Sequence, residues 1–167
     1  MGGASRPHVP GDWVLLSYRI PREPSTPRIT IWRKLKRVGV AQMSDGLVAL
    51  PSDARTREYL DWIADEILEA GGSAAIWIAR PGTVATERDL AAAMADARAA
   101  EYAKVAAEAD AAADRDETAR LALARRLRAE LRRIHRRDYF PPPERDHATA
   151  AVDALVRPVQ HPEEQPS

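Results

Sequence analysis

Two segments of the chain concentrate the side chains best suited to contact phosphate groups. Residues 19–38 contain seven Lys or Arg and one acid, a local net charge of +6. Residues 115–137 contain nine Arg and three acids, which again gives +6. An Arg guanidinium binds phosphate through two parallel hydrogen bonds. Both segments therefore suggest an electrostatic contact with a nucleic-acid backbone.

Helical spacing selects the individual candidates within these segments. Ile31, Leu35 and Val38 form an apolar stripe on the first helix. Arg33, Lys36 and Arg37 point away from this stripe. Arg also recurs at helical spacing in the second segment. The predicted DNA contacts are Arg28, Arg33, Lys34, Lys36, Arg37, Arg125, Arg128, Arg132, Arg133 and Arg136.

Two acidic segments offer a different explanation for the same charges. Residues 53–69 and 86–114 each have a net charge of −4, and the whole chain is neutral, with 25 basic and 25 acidic residues. The basic helices could pair with acidic helices inside the fold, since a run of charge is commonly a solvated face. No helix-turn-helix is recognisable that would read bases. The sequence leaves both interpretations open.

The first half of the chain predicts alternating strands and helices. Ser25 or Thr26 can begin a helix that Gly39 ends, and Asp53 can cap another. Asp45-Gly46 is a strong hairpin signal. The predicted strands are 13–20, a pair within 40–50, and 74–80, with helices between them at 26–38 and 54–70. The order βαββαβ indicates an α+β, ferredoxin-like domain with two helices on one face of a four-stranded antiparallel sheet.

The second half is rich in Ala and Arg and predicts helices. A composition change near Pro81-Gly82 suggests a boundary, and Thr86 is the expected N-cap of the next helix. Helices at 86–114 and 116–137 would form an antiparallel hairpin, followed by a short helix at 146–157. Because their apolar stripes are narrow, we expect the hairpin to pack on the open face of the sheet or on a second subunit. The predicted organisation is 12–81 (α+β domain), 85–157 (hairpin and short helix), and disordered tails at 1–11 and 158–167.

Several classes of chemistry lack the residues they require. The chain has no Cys, which excludes disulfides, thiolate metal sites and cysteine nucleophiles. The His residues have no metal-ligand spacing, and no phosphate-binding loop or nucleophile motif is present. The first strand ends in Ser17-Tyr18-Arg19, without the carboxylate of a metal-dependent nuclease of this fold. We expect no enzyme, no metal and no cofactor; with no signal-peptide or membrane-spanning pattern, we expect a cytoplasmic protein.

Four segments carry a resemblance to a known family. They are DWVLLSYRIPREPSTPRITIWRKLKRVGVAQMSDGLVALP, TREYLDWIADEILEAGG, AIWIARP and RIHRRDYFPPPERDHATAAVDAL. Together they resemble the N-terminal domain of ChrB-type chromate-resistance regulators, from about residue 12 to 157. The first part also resembles, more loosely, the central domain of PaaX-type repressors.

The resemblance implies a chromate-responsive, DNA-binding regulator of a chromate-efflux operon. We expect it to act as a homodimer, with the chromate oxyanion as effector. Carried over to this chain, helices 28–37 and 125–137 become the operator contacts. Full-length members carry a second, C-terminal domain associated with chromate response, and this chain ends near where it would begin. A separately encoded partner is therefore expected. The alternative is a protein-interaction module that does not bind DNA and docks on such a partner through its helical hairpin.

Overall fold

A computed structural model describes residues 11–158. The predicted tails therefore lie outside the described residues, except at residues 11 and 158. The elements are β1 (Trp13–Arg19), α1 (Thr26–Val38), β2 (Ala41–Ser44), β3 (Leu47–Pro51), α2 (Ala54–Glu69), β4 (Ser73–Ala79), α3 (Val84–Asp110), α4 (Glu117–Arg136) and α5 (Glu144–Ala154).

The four strands form one antiparallel sheet in the order β2-β3-β1-β4. Strand β1 is central, and Leu16 lies opposite Val48 on β3 and Ile76 on β4. This strand order with a βαββαβ chain order is the ferredoxin-like topology. The predicted α+β class is confirmed.

Local signals placed most of the element ends correctly. Gly39 ends α1 in the left-handed conformation at φ 81°. Asp53 caps α2, because its carboxylate accepts from the Thr56 backbone N–H at 2.8 Å and the Thr56 hydroxyl accepts from the Asp53 N–H at 2.9 Å. The N-cap predicted at Thr86 is wrong. Helix α3 begins at Val84, and the Thr83 hydroxyl accepts from the Thr86 N–H at 3.1 Å.

The chain divides into two compact units, and helix α3 runs through both. The first unit contains the described residues up to Asp96 together with Arg137–Phe140. Its core includes Trp13, whose ring stacks on Phe140 with the centroids 6.0 Å apart. The Trp13 indole donates to Glu87 on α3 at 3.1 Å, and the Tyr139 hydroxyl donates to the carbonyl of Val38 at 2.9 Å. Residues 137–140, which follow α4, therefore pack within the first unit.

The second unit contains Ala97–Arg136 and the described residues from Pro141 onward. The later part of α3, helix α4 and helix α5 share one apolar core. Tyr102, Leu127 and Val152 are among its most buried side chains. Among residues 11–158, no helix is both long and apolar enough to cross a membrane.

Gly46, in the β2–β3 turn, offers a direct test of this packing. Its φ is +70°, and an added Cβ would lie 2.4 Å from the carbonyl oxygen of Tyr18. We expect Gly46→Ala to lower the free energy of unfolding by about 1–3 kcal/mol, because a strained conformation and a backbone clash add together. Urea titration followed by circular dichroism measures the change. Gly82→Ala is the control, since nothing lies within 4 Å of its added Cβ; equal stability of the two variants would contradict the turn geometry.

Candidate nucleic-acid interface

Helix α1 turns its apolar side inward and most of its basic side chains outward. Ile31 and Leu35 are buried in the core of the first unit. Arg33, Lys36 and Arg37 are exposed, and their spacing puts them within about 100° of one another around the helix. We call these three residues the α1 basic surface. None of them has an acidic partner among the described residues.

Two neighbours modify the charges on this helix. The Lys34 ammonium donates to both carboxylate oxygens of Glu66 on α2, at 2.6 and 2.5 Å. Lys34 is therefore paired inside the fold, as the alternative explanation of the basic residues predicts. Lys36 lies 5.4 Å from the centroid of the Trp32 ring, a cation–π contact that orients the ammonium without neutralising it.

Helix α4 carries a second row of unpaired cations. Arg125, Arg132 and Arg136 are exposed, and none has an acidic partner in the described part of the chain. Positions i, i+7 and i+11 lie within about 40° on one helix face and span about 16 Å along the axis. We call these three residues the α4 basic surface.

Other arginines of α4 form ion pairs within the second unit. Arg128 donates to Asp153 on α5 at 3.2 Å, and Arg133 donates to Glu130 at 2.9 Å. Arg126, which was not a candidate, pairs with Glu108 on α3. Internal pairing thus accounts for Lys34, Arg128 and Arg133 among the ten predicted contacts. The pairing is incomplete, because both basic surfaces retain cations without acidic partners.

Arg28 occupies a different environment from the rest of the predicted set. It lines a cleft of about 810 Å³ that also receives Arg19 and Arg22. Sequence reasoning counted these two arginines in the basic block but did not select them as site residues. They lie at the end of a strand and in a loop, where no helical spacing marks them. Their meeting with Arg28 depends on the tertiary fold.

Tyr18 lines the same cleft. Burial raises the pKa of its hydroxyl. The nearby Arg28 guanidinium acts in the opposite direction and lowers this pKa, and the Asp45 carboxylate raises it. The raised pKa keeps the phenol neutral and able to donate a hydrogen bond across the physiological range. Within residues 11–158, no group of three or more His, Asp or Glu is arranged to hold a metal ion.

The fold and the basic surfaces define a ferredoxin-like α+β domain extended by a helical unit. The chain belongs to the family described as "Protein ChrB, N-terminal", which it matches over residues 28–165. It is 27% identical over 157 residues to Protein ChrB of Cupriavidus metallidurans, an alignment that covers 87% of this chain and 48% of that protein. The chain therefore spans about half the length of this relative. No solved structure matches it. The resemblance to the ChrB N-terminal domain is confirmed.

The titration of Tyr18 gives a prediction with a definite sign. Because the folded state raises this pKa, folded protein holds the phenolic proton more tightly than unfolded protein above about pH 10. The stability contribution is complete below the unfolded pKa and is lost as the pH rises through the folded value. We expect the free energy of unfolding to fall more steeply from pH 9.5 to 11.5 in the wild type than in Tyr18→Phe. Urea titrations at each pH measure both slopes, and parallel curves would contradict the burial of this hydroxyl.

Proposed function

We propose that this protein is a DNA-binding regulatory protein of bacterial chromate resistance. The observation that carries the proposal is the pair of basic surfaces, in which exposed cations have no acidic partner among the described residues. Membership of the ChrB N-terminal family supports the connection to chromate resistance. The cytoplasm is the compartment in which such a protein would act.

The proposed contact is made mainly with the DNA backbone. Duplex DNA carries one negative charge per about 1.7 Å of helix axis, so the α4 basic surface, about 16 Å long, faces an excess of phosphates. Each guanidinium that replaces a condensed counterion adds about −0.9 to the slope of log affinity against log salt. Chromate, as a dianion, would act as effector by competing for guanidinium groups.

The contribution of the α4 basic surface to DNA binding can be compared with that of the paired arginines on the same helix. We expect Arg125→Gln/Arg132→Gln/Arg136→Gln to weaken binding to a duplex from upstream of the chromate-efflux genes. The salt slope should become shallower by about 2 to 3, because up to three phosphate contacts are lost. Fluorescence anisotropy between 50 and 250 mM NaCl measures the affinity and the slope.

The matched control is Arg126→Gln/Arg133→Gln, which removes two arginines of the same helix that already pair with Glu108 and Glu130. A smaller loss of slope is expected for this control. Equal losses per charge in both variants would show that net charge alone drives binding. A scrambled duplex and added chromate, with sulfate for comparison, test selectivity and the effector.

A protein-interaction module remains the second candidate, and one observation favours it. Strand β4 forms an edge of the sheet and has no charged residue between Ser73 and Ala79. Trp77 and Ile78 on this strand are 57% and 49% exposed. An uncharged, apolar edge strand is a template for pairing with another strand. We propose that the strand pairing with β4 is the β4 strand of a second copy of the chain, in antiparallel orientation. This pairing forms the homodimer.

The dimer proposal predicts that Ile78→Lys yields a monomer, because a charge on β4 blocks edge pairing. Size-exclusion chromatography with light scattering, with and without DNA, measures the mass. Met43→Lys is the control, since Met43 lies on the opposite edge strand β2 with a similar exposure of 43%. A monomeric wild type, or equal effects of both variants, would overturn the β4 interface. A stable dimer with no affinity for DNA would favour the interaction module.

A further inference from the structure

The cleft beside β1 is a recess built from five parts of the first unit. The end of β1, the loop that follows it, the first turns of α1, strand β2 and the β2–β3 turn all contribute to its lining. Its volume of about 810 Å³ lies within the range of small-molecule sites, roughly 300–1,000 Å³. The cleft therefore has the dimensions of a ligand site and differs in shape from the two exposed basic surfaces.

The charge of the lining favours an anion. Arg19, Arg22 and Arg28 line the cleft, and none of them has an acidic partner among the residues described. Asp45 contributes the one carboxylate of this lining. Three guanidinium groups against one carboxylate leave an excess of positive charge, and the walls of a recess concentrate its field.

Neutral hydrogen-bond donors complete the lining. The Tyr18 hydroxyl stays protonated well above neutral pH, as argued above. Ser25 holds the N-cap position of α1, but its side chain makes no capping hydrogen bond to the helix. Its hydroxyl is therefore not used to cap the helix, and the positive end of the α1 dipole lies beside it. Guanidinium groups, hydroxyl groups and a helix N-terminus together are the donor set that recognises a tetrahedral oxyanion.

We propose that this cleft binds a small ligand bearing a tetrahedral oxyanion group of the phosphate or sulfate type. This site goes beyond the proposed DNA contact, because Arg19 and Arg22 have no part in that contact. It also gives Arg28 a role in ligand binding in place of DNA binding. The oxyanion has two sources: a free inorganic ion, or the phosphoryl group of a larger molecule. The half-buried Trp32 ring in the lining leaves an apolar wall for an organic group in the second case.

Isothermal titration calorimetry with sodium phosphate and sodium sulfate, at ionic strength held constant with NaCl, tests the site. We expect saturable binding of one anion per chain to the wild type. Arg19→Gln/Arg22→Gln should weaken it by at least about tenfold, since hydrogen bonds to charged groups are lost. Arg57→Gln/Arg88→Gln removes two exposed arginines of the first unit that lie outside the cleft lining and outside both basic surfaces. This control should bind the anions as the wild type does.

Asp45→Asn provides a test in the opposite direction. Asn-Gly is as good a hairpin turn as Asp-Gly, so the variant should fold while losing the carboxylate of the lining. We expect it to bind phosphate several-fold more tightly than the wild type. Unchanged or weaker binding in a folded Asp45→Asn variant would overturn the proposal, as would chloride competing as well as sulfate.

Titration with AMP and with adenosine distinguishes the two sources. AMP binding at least tenfold tighter than phosphate, with no binding of adenosine, identifies an organic phosphate as the ligand. Equal affinities identify the inorganic ion, and both results support the oxyanion site. Binding of adenosine alone, or of none of these probes, overturns it. Because Arg19 and Arg22 lie outside the DNA-binding set, Arg19→Gln/Arg22→Gln should retain its affinity for DNA, so the two proposals fail separately.

Discussion

The fold depends on covering strand β1 on both of its faces. Strand alternation points Val14 and Leu16 to one face and Trp13 to the other, and all three are almost completely buried. The helices α1 and α2 contribute to the same core, and Phe140 stacks on Trp13. A ferredoxin-like sheet with one open face would leave the Trp13 ring in water, so the start of α3 and the segment after α4 belong to the first unit. The same arrangement holds the polar end of β1 at the rim of the sheet, where the cleft lies.

The distribution of charge matters more here than its sum. A chain with 25 bases and 25 acids has no long-range attraction for DNA. Charges beyond a Debye length, about 8 Å at physiological salt, are largely screened, so a phosphate responds to the few side chains nearest to it. Glu66, Asp153 and Glu130 neutralise particular cations and leave others unpaired. A net charge of zero for the whole chain is therefore compatible with two local surfaces of positive charge.

The sequence predicted those features that depend on neighbouring residues. The order of elements followed from local signals, whose effect extends over only a few neighbouring residues. These signals are Gly39, the Asp45-Gly46 turn and the Asp53 cap. The N-cap of α3 was placed at Thr86 instead of Thr83, because a Thr at either position has the hydroxyl that a cap requires. Pairing of Lys34 with Glu66, 32 residues later, depends on the packing of α1 against α2. The cleft brings together a strand end, a loop and a distant turn, which no local pattern records.

Helix α1 takes part in both the cleft and a basic surface, which limits how a ligand in the cleft could affect DNA binding. Arg28 lies about 7 Å along the helix axis from Arg33 and about 13 Å from Arg37. At physiological salt, with a Debye length of about 8 Å, a bound anion lowers the potential at Arg33 but is largely screened at Arg37. Direct electrostatic competition therefore reaches only the nearer part of the α1 basic surface. Any stronger coupling between the cleft and DNA requires a movement of α1 itself, which packs against α2.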